Sequence, residues 1–293
     1  MELKELTGLK LNEPMSAHTT FRIGGPADML YEPQDNEELV AALECAKAEN
    51  VPVTIIGNGS NLLVSDKGIR GLVIKIGKKF SGISKDGEYV TVKSGTKMSQ
   101  FGMFALENEL GGAEFAHGIP GTVGGGVYMN AGAYGGELKD IIVSVEYVKD
   151  GKLCRMEKDY MQLGYRKSIF QSLDAVITSV TFKLEPDTRE NILAKMNDFK
   201  SRRQEKQPLE YPSAGSTFKR PEGHFAGALI EGAGLKGKSI GGAQVSEKHA
   251  GFVINTGNAT AKDVCDLVEY IKKTVFESSG VMLEPEIKMI GER

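Results

Sequence analysis

The chain has 293 residues, 40% of them hydrophobic and 26% charged, the ordinary balance of a folded protein able to fill one large core or two medium ones. Lys and Arg number 36 against 39 Asp and Glu, a formal charge of −3, which argues against a general nucleic-acid binder. Mean hydropathy is −0.23 and every apolar run is broken within a few residues, so no segment reads as a membrane span, and Met1 to Lys10 has no apolar signal-peptide core.

In chain order, Asp35 to Glu49 reads as a helix, with Asp35 as cap, Glu38 three residues on, and Leu39, Ala42, Leu43 and Ala46 on one face. Val53 to Gly57, Gly71 to Ile76 and Tyr89 to Lys93 read as strands, and Ile141 to Val148, Lys152 to Met156 and Ala175 to Leu184 extend the strand-rich region. After Glu185-Pro186-Asp187 the pattern changes. Thr188 to about Gln204 is helical, with Ile192, Met196 and Phe199 on one stripe; Phe225 to Glu231 is a shorter helix. Ser239 to Val245 and Gly251 to Asn255 read as short strands. Thr260 caps a last helix whose stripe is Val264, Leu267, Val268, Ile271 and Val275. The expected fold class is α+β, with a boundary near 185–187.

Cys45, Cys154 and Cys265 lie about a hundred residues apart, without disulfide or metal spacing, and point to a reducing cytoplasm. His18, His117, His224 and His249 are scattered, so no metal site is expected. Glycine is the abnormal count: 36 in all, about 12% against a usual ~7%. Ten of these glycines fall between Gly111 and Gly136. Such clusters cost backbone entropy and are kept where a turn or a ligand needs close approach to main chain.

Two nucleotide motifs nearly match. Gly57-Asn-Gly-Ser-Asn-Leu62 follows a strand like a dinucleotide fingerprint, but Leu62 replaces the third glycine and no helical stripe follows. Gly232-Ala-Gly-Leu-Lys-Gly-Lys-Ser239 fits the phosphate-loop pattern by letter, yet a helix precedes it and a strand follows, the reverse of what that loop requires. Gly57 to Asn61 and Gly118 to Gly126 could instead present backbone N–H groups as anion nests. Each alone fits a tight turn equally well; two uncharged Gly-rich loops together favour a large dinucleotide held by main chain. From Lys200 to Arg220 six cations (Lys200, Arg202, Arg203, Lys206, Lys219 and Arg220) face Glu205 and Glu210, which reads either as a solvated helix face or as an anion pocket. Ser216 has no adjacent His to activate it as a nucleophile.

The ordered set of motifs resembles the UDP-N-acetylenolpyruvoylglucosamine reductase family. These are His18-Thr-Thr-Phe-Arg-Ile-Gly-Gly-Pro-Ala-Asp28, Gly57 to Leu63, Gly118-Ile-Pro-Gly-Thr-Val-Gly-Gly125, Tyr165-Arg-Lys-Ser168, Ser213-Ala-Gly-Ser-Thr-Phe-Lys219, Gly241-Gly-Ala-Gln-Val245 and Leu283-Glu-Pro-Glu286. The resemblance implies a para-cresol-methylhydroxylase-type FAD-binding domain over 1–187, split near 77. A smaller α+β substrate-binding domain would follow over 188–283, then a C-terminal segment, 284–293, carrying Glu286. It implies non-covalent FAD, NADPH as reductant, and UDP-N-acetylglucosamine enolpyruvate as substrate, in a cytoplasmic step of peptidoglycan precursor synthesis. NADPH is expected to use the substrate's site in turn. A monomer without nucleic-acid or membrane partners is expected.

Residue by residue, the resemblance assigns FAD contacts to Gly57, Asn58, Gly59, Ser60 and Asn61, to Gly118, Ile119, Pro120, Gly121, Thr122, Gly124 and Gly125, and to Asn130, Ala131 and Gly132. It assigns stabilisation of an enolate-like charge to Arg166 and Glu286, the latter only if protonated, and proton donation to Ser216. Tyr165, Lys206, Lys219 and Arg220 are expected at the substrate, although some members carry Asn where Arg220 stands. No long Tyr-bearing insertion precedes Thr188, as in the shorter type of the family. Alternatives are a flavin oxidase of the same fold and, on Gly232 to Ser239 alone, an ATPase.

Overall fold

A computed structural model describes residues 2–292. The chain divides into two units that are not consecutive stretches: unit 1 holds residues 1–10, 30–58 and 71–203, and unit 2 holds 11–29, 59–70 and 204–293. A linear cut at 187/188 therefore parts the helix that follows from the unit it packs in. The reason is hydrophobic: Ile192 and Met196 are buried with Leu106, and Lys195 pairs at 3.1 Å with both Glu114 and Asp187.

Unit 1 is built on a five-stranded antiparallel sheet in the order Lys152–Glu157, Ile142–Lys149, Val176–Lys183, Tyr89–Lys93, Ile83–Asp86. The register places Val145 beside Val180 and Val180 beside Val92. All three are fully buried on one face, where Phe101, Phe115, Val123 and Val127 cover them. The adjacent residues alternate outward, and there the Ser179 hydroxyl donates to Glu146 at 2.7 Å. A parallel pair joins Val53–Ile56 to Ile69–Lys75.

The helices of unit 1 are α1 (Asn36–Ala48), α2 (Met98–Glu107), α3 (Val123–Met129), the single turn α4 (Leu138–Ile141) and α5 (Arg189–Lys206, through Arg203). The Asp35 carboxylate accepts from the Glu38 N–H at 2.9 Å, as its position predicts, but Cys45 takes the buried place expected of Leu43. Neither α2 nor α3 is evident in the sequence pattern. Three of the seven α3 residues are Gly, the poorest helix former after Pro. Packing accounts for one of them: a β-carbon on Gly124 would stand 2.8 Å from Ser94 Cβ.

Unit 2 has a three-stranded antiparallel sheet, Ser239–Ile240, Ala243–Val245 and Val253–Asn255, with helices α6 (Ala226–Gly232) and α7 (Ala261–Ser279). The phosphate-loop lookalike runs from α6 into the Ser239 strand, so a helix precedes it and a strand follows. Leu62–Val64 is a strand paired in parallel with Lys288–Ile290, which leaves the Gly57 loop without a helix after it. The α7 stripe is buried as its spacing predicts, at Val264, Leu267, Val268, Ile271 and Val275. Thr260 and Asp263 close a capping box, and the Asp66 carboxylate accepts from the Ala261 and Lys262 N–H groups at 2.7 and 3.0 Å.

Thr260→Ala should cost about 1 kcal/mol of stability through the lost cap, and Ile271→Ala about 2–5 kcal/mol through the cavity. Urea unfolding followed by circular dichroism should place the two midpoints in that order.

Candidate active site

The candidate residues of unit 1 gather around one close contact. Gly57 ends the Val53–Ile56 strand, and a β-carbon there would fall 2.5 Å from Thr122 Oγ1. Only glycine lets the two Gly-rich segments, at Gly57 and at Gly118 to Thr122, come together. Thr122 is buried and precedes α3; Gly121 has φ +133° and its carbonyl accepts from the Met98 N–H at 3.1 Å. Beside this loop the Ser94 carbonyl accepts from Gly124 N–H, and Ser94 N–H donates to Thr178 O, both at 2.9 Å. The hydroxyls of Ser94 and Thr178 are buried and have no hydrogen-bond partner among the described residues. A buried unmade hydrogen bond costs about 1–3 kcal/mol, so a polar ligand at this place would recover energy the protein leaves unclaimed. Neither residue stands out in the sequence, where nothing signals burial of an isolated Ser or Thr.

Asn130 closes α3 in the left-handed conformation, φ +44°, and is fully buried. Its amide donates to Glu137 Oε2 and to Gly164 O, each at 2.9 Å, and its Oδ1 accepts from Lys139 N–H at 2.9 Å. The side chain expected at the cofactor is thus spent on the protein. What it holds is the tight turn Gly164–Lys167, closed by reciprocal main-chain hydrogen bonds of 3.0 and 3.1 Å.

Tyr165 and Arg166 form the tip of that turn. Arg166 sits at φ +53°, a conformation that costs a non-glycine residue about 1–3 kcal/mol and is typical of functional positions. Gln171 donates to the Arg166 carbonyl at 2.9 Å, the guanidinium lies 5.1 Å from the Tyr165 ring centre, and Nη2 reaches Gly132 O at 3.5 Å. Lys139 first, then Asn130 and the more distant charge of Arg166, hold the Glu137 carboxyl below its usual range against the opposing effect of burial.

In unit 2, buried Thr217 organises the candidates. Its N–H donates to Gly251 O at 2.9 Å, its Oγ1 accepts from Val253 N–H at 2.9 Å, and its carbonyl accepts from Glu286 N–H at 2.8 Å. Phe218 bridges to Pro285, and Lys219 N–H donates to Glu284 O at 2.8 Å. Two separated motifs therefore pair as main chain, which puts Ser216 next to the residue that holds Glu286. Ser216 is exposed, while Ala214, Thr217 and Phe218 are buried anchors. Asn61 backs the same segment: its amide donates to Glu286 O at 3.1 Å, and its carbonyl accepts from Lys288 N–H at 2.9 Å.

The motif beginning at His18 supports this arrangement. Thr20 N–H donates to Gly59 O at 3.4 Å, and its hydroxyl donates to Ser213 O at 2.7 Å. Of the expected substrate cations, Lys219 is paired with Glu284, Arg220 lies 4.0 Å over the Phe225 ring, and Lys206 is exposed. Among the described residues no cluster of His, Cys, Asp and Glu could hold a metal. No described helix is long and apolar enough to cross a membrane.

Residues 27–157 match the model of the FAD-binding domain family, and residues 207–290 match that of the UDP-N-acetylenolpyruvoylglucosamine reductase C-terminal domain. An FAD-binding domain followed by this domain defines a flavin-dependent oxidoreductase. A UDP-N-acetylenolpyruvoylglucosamine reductase of Caldanaerobacter subterraneus subsp. tengcongensis is 51% identical over 286 residues, covering 97% of this chain and 94% of that one. One of Agathobacter rectalis is 52% identical over 298 residues, covering 97% and 95%. The crystal structure of the Thermus caldophilus enzyme of that name superposes with a TM-score of 0.81 at 36% identity, covering 96% of this chain and 97% of that one. The chain belongs to the UDP-N-acetylenolpyruvoylglucosamine reductase family.

Gly57→Ala should lower the FAD content of the purified protein several-fold, because the added carbon meets Thr122 Oγ1. Adding Thr122→Ala should restore part of it, as read from the flavin-to-protein absorbance ratio of the single and double variants.

Proposed function

We propose that this chain reduces UDP-N-acetylglucosamine enolpyruvate to UDP-N-acetylmuramate with electrons from NADPH, as a step of peptidoglycan precursor synthesis. The observation that carries the reading is that the first domain match takes in the two Gly-rich segments and the second takes in the main-chain pairing of Thr217 with Glu286, next to Ser216. The residues of unit 1 fit FAD on structural grounds as well. A side-chain-free contact joins Gly57 to the Gly118 segment, and two buried hydroxyls beside it await a partner. Gly57, Asn58 and Gly118 to Gly125 would hold the cofactor by main chain, with Ser94 and Thr178 supplying hydroxyls. Bound FAD supplies two-electron transfer from NADPH to the terminal carbon of the enolpyruvyl double bond.

The remaining chemistry belongs to side chains. As a hydride adds to the terminal carbon, negative charge develops on its neighbour and spreads into the carboxylate, which is already ionised and takes up further charge poorly. Arg166 is always charged and presents a fixed fork of donors to that carboxylate. Glu286 can join it as a donor only while its carboxyl carries a proton. Ser216 hands its hydroxyl proton to the carbanionic carbon and recovers one from solvent. Atoms balance: NADPH supplies a hydride equivalent and solvent the proton. Among the described residues no hydrogen bond engages the Ser216 hydroxyl, which leaves it available for that transfer. Tyr165, Lys206, Lys219 and Arg220 are read as substrate contacts. We further read unit 1, with α5 in it, as the FAD-binding part and unit 2 as the substrate-binding part of a cytoplasmic monomer.

An anaerobic visible spectrum tests the reaction. NADPH should bleach the yellow protein and the enolpyruvyl sugar nucleotide should restore its colour; recovery only on admitting air would favour an oxidase. In Ser216→Ala, bleaching by NADPH should keep its rate, while recovery with the sugar nucleotide slows by about 10²–10⁴-fold. Equal slowing of both steps would remove Ser216 from the proton transfer.

A further inference from the structure

Arg166 occupies a backbone state that its residue type does not favour. At the tip of the Gly164–Lys167 turn it carries the positive φ, +53°, a place that glycine takes freely and that Asn or Asp can support by bonding to nearby main chain. Arginine has neither recourse. A strained residue of this kind persists only where its surroundings over-determine it. The reciprocal Gly164–Lys167 hydrogen bonds and the grip of Asn130 on Gly164 O hold the base of the turn. The tip needs a hold of its own.

Gln171 supplies it. Its Nε2 donates to Arg166 O at 2.9 Å and to Tyr128 O at 3.0 Å, with Met129 Sδ 3.7 Å away. A primary amide has two N–H groups, and the two carbonyls take both. Since a carbonyl only accepts, the nitrogen of the amide and not its oxygen must face them. Gln171 closes the single turn Ile169–Gln171, its N–H donating to Ser168 O at 3.2 Å. The buried Ser168 hydroxyl donates to the same Tyr128 O at 2.8 Å. Tyr128 stands in the last turn of α3, where carbonyls lack partners within the helix, and these two side chains fill that need. One amide therefore ties the strained residue to the C-terminal end of α3. The N-terminal end of the same short helix follows Thr122 and the Gly118 segment, so the segment read as flavin-holding and the Arg166 turn are fixed to opposite ends of one rod.

We propose that Gln171 is a positioning residue for reduction of the enolpyruvyl group: by holding the Arg166 main chain to α3, it keeps the guanidinium where negative charge develops. Both of its amide hydrogens are spent on the protein, so it acts through Arg166 and not on the substrate. A displacement of about 1 Å in a reacting geometry can cost about a hundredfold in rate, and losing this hydrogen bond frees a residue that is strained to begin with. The proposal rests on the reading of Arg166 as the group that stabilises the enolate-like charge.

The test uses full-length protein with FAD bound and follows the two half-reactions separately without oxygen: bleaching by NADPH, and recolouring by the enolpyruvyl sugar nucleotide. Gln171→Met keeps the length of the side chain and removes both donors. Recolouring should slow by about ten- to a hundredfold while bleaching stays within about threefold of wild type. Hydrogen exchange of the peptide spanning 164–168 should quicken at least about tenfold in the same variant, and unchanged exchange there would overturn the proposal. The deciding comparison is a double-variant cycle with Arg166→Met. In that background Gln171→Met should alter recolouring by less than about threefold, because the residue it positions is already gone. Recolouring at the wild-type rate in Gln171→Met alone would overturn the proposal. So would equal slowing of both half-reactions, or the same slowing in either background, since these describe a general loss of packing or a role independent of Arg166. An Arg166→Met protein that recolours like wild type would instead overturn the reading of Arg166, and the proposal with it. If Gln171→Met fails to fold, Gln171→Glu, equal in length and without an N–H to donate, carries the same comparison.

Discussion

Thr122 Oγ1 stands where a side chain at Gly57 would begin, and most of the candidate site in unit 1 hangs from that approach. Gly57 continues a strand fixed in parallel register, Val53 beside Leu72 through Ile56 beside Lys75. Thr122 opens α3, α3 ends at Asn130, and Asn130 grips the turn whose tip is Arg166. Position is thus passed from a sheet to a guanidinium through buried main chain and one satisfied amide. Long flexible side chains could not do this, since each would lose up to about 2 kcal/mol of rotamer entropy on being fixed. The glycines that make the sequence unusual are the condition for this route: they cost entropy, and they let backbone touch backbone.

Unit 2 reaches the same rigidity by another device. Thr217 has its N–H, hydroxyl and carbonyl all bonded within the protein, so it is one of the most constrained residues of the unit. Its neighbour Ser216 is exposed beside the buried anchors Ala214, Thr217 and Phe218. The residue bonded to the Thr217 carbonyl is Glu286. A hydroxyl and a carboxyl are thereby spaced by main-chain pairing, which brings together two motifs about seventy residues apart.

The legible parts of the sequence are those where a local pattern and the packing agree. The α7 stripe and its Thr260–Asp263 cap are readable because periodicity and capping chemistry point the same way. The false fingerprints can be rejected from what flanks them: no helical stripe follows Leu62, where the structure has the strand Leu62–Val64, and a helix, α6, precedes the Gly232 loop. What was not legible depends on distant contacts. Helix α3 forms against its own propensity because Val123 and Val127 are buried under the sheet. Orphaned hydroxyls at Ser94 and Thr178 cannot be inferred from residue type. The side of the 187/188 cut to which α5 belongs is decided by two buried residues meeting Leu106. Asn130 shows the same limit at the site, since only the resemblance marks it and nothing in the residue pattern shows that its side chain makes three hydrogen bonds within the protein.

Charge is where counting serves worst. Six cations between Lys200 and Arg220 are equivalent on paper, and the fold makes them unequal. Arg202 and Asp198 are exposed partners four residues apart, an arrangement worth about 0.3–0.5 kcal/mol and screened by salt. Lys219 is tied to Glu284, and Arg220 spreads over an aromatic face. Arg203 has been taken partly out of water without an acid to meet it. Lys200 and Lys206 are exposed and need no partner, so the informative cation in such a run is the one that burial leaves without a carboxylate. Neither the number of charges nor their spacing marks that residue; burial does, and burial is a property of the fold.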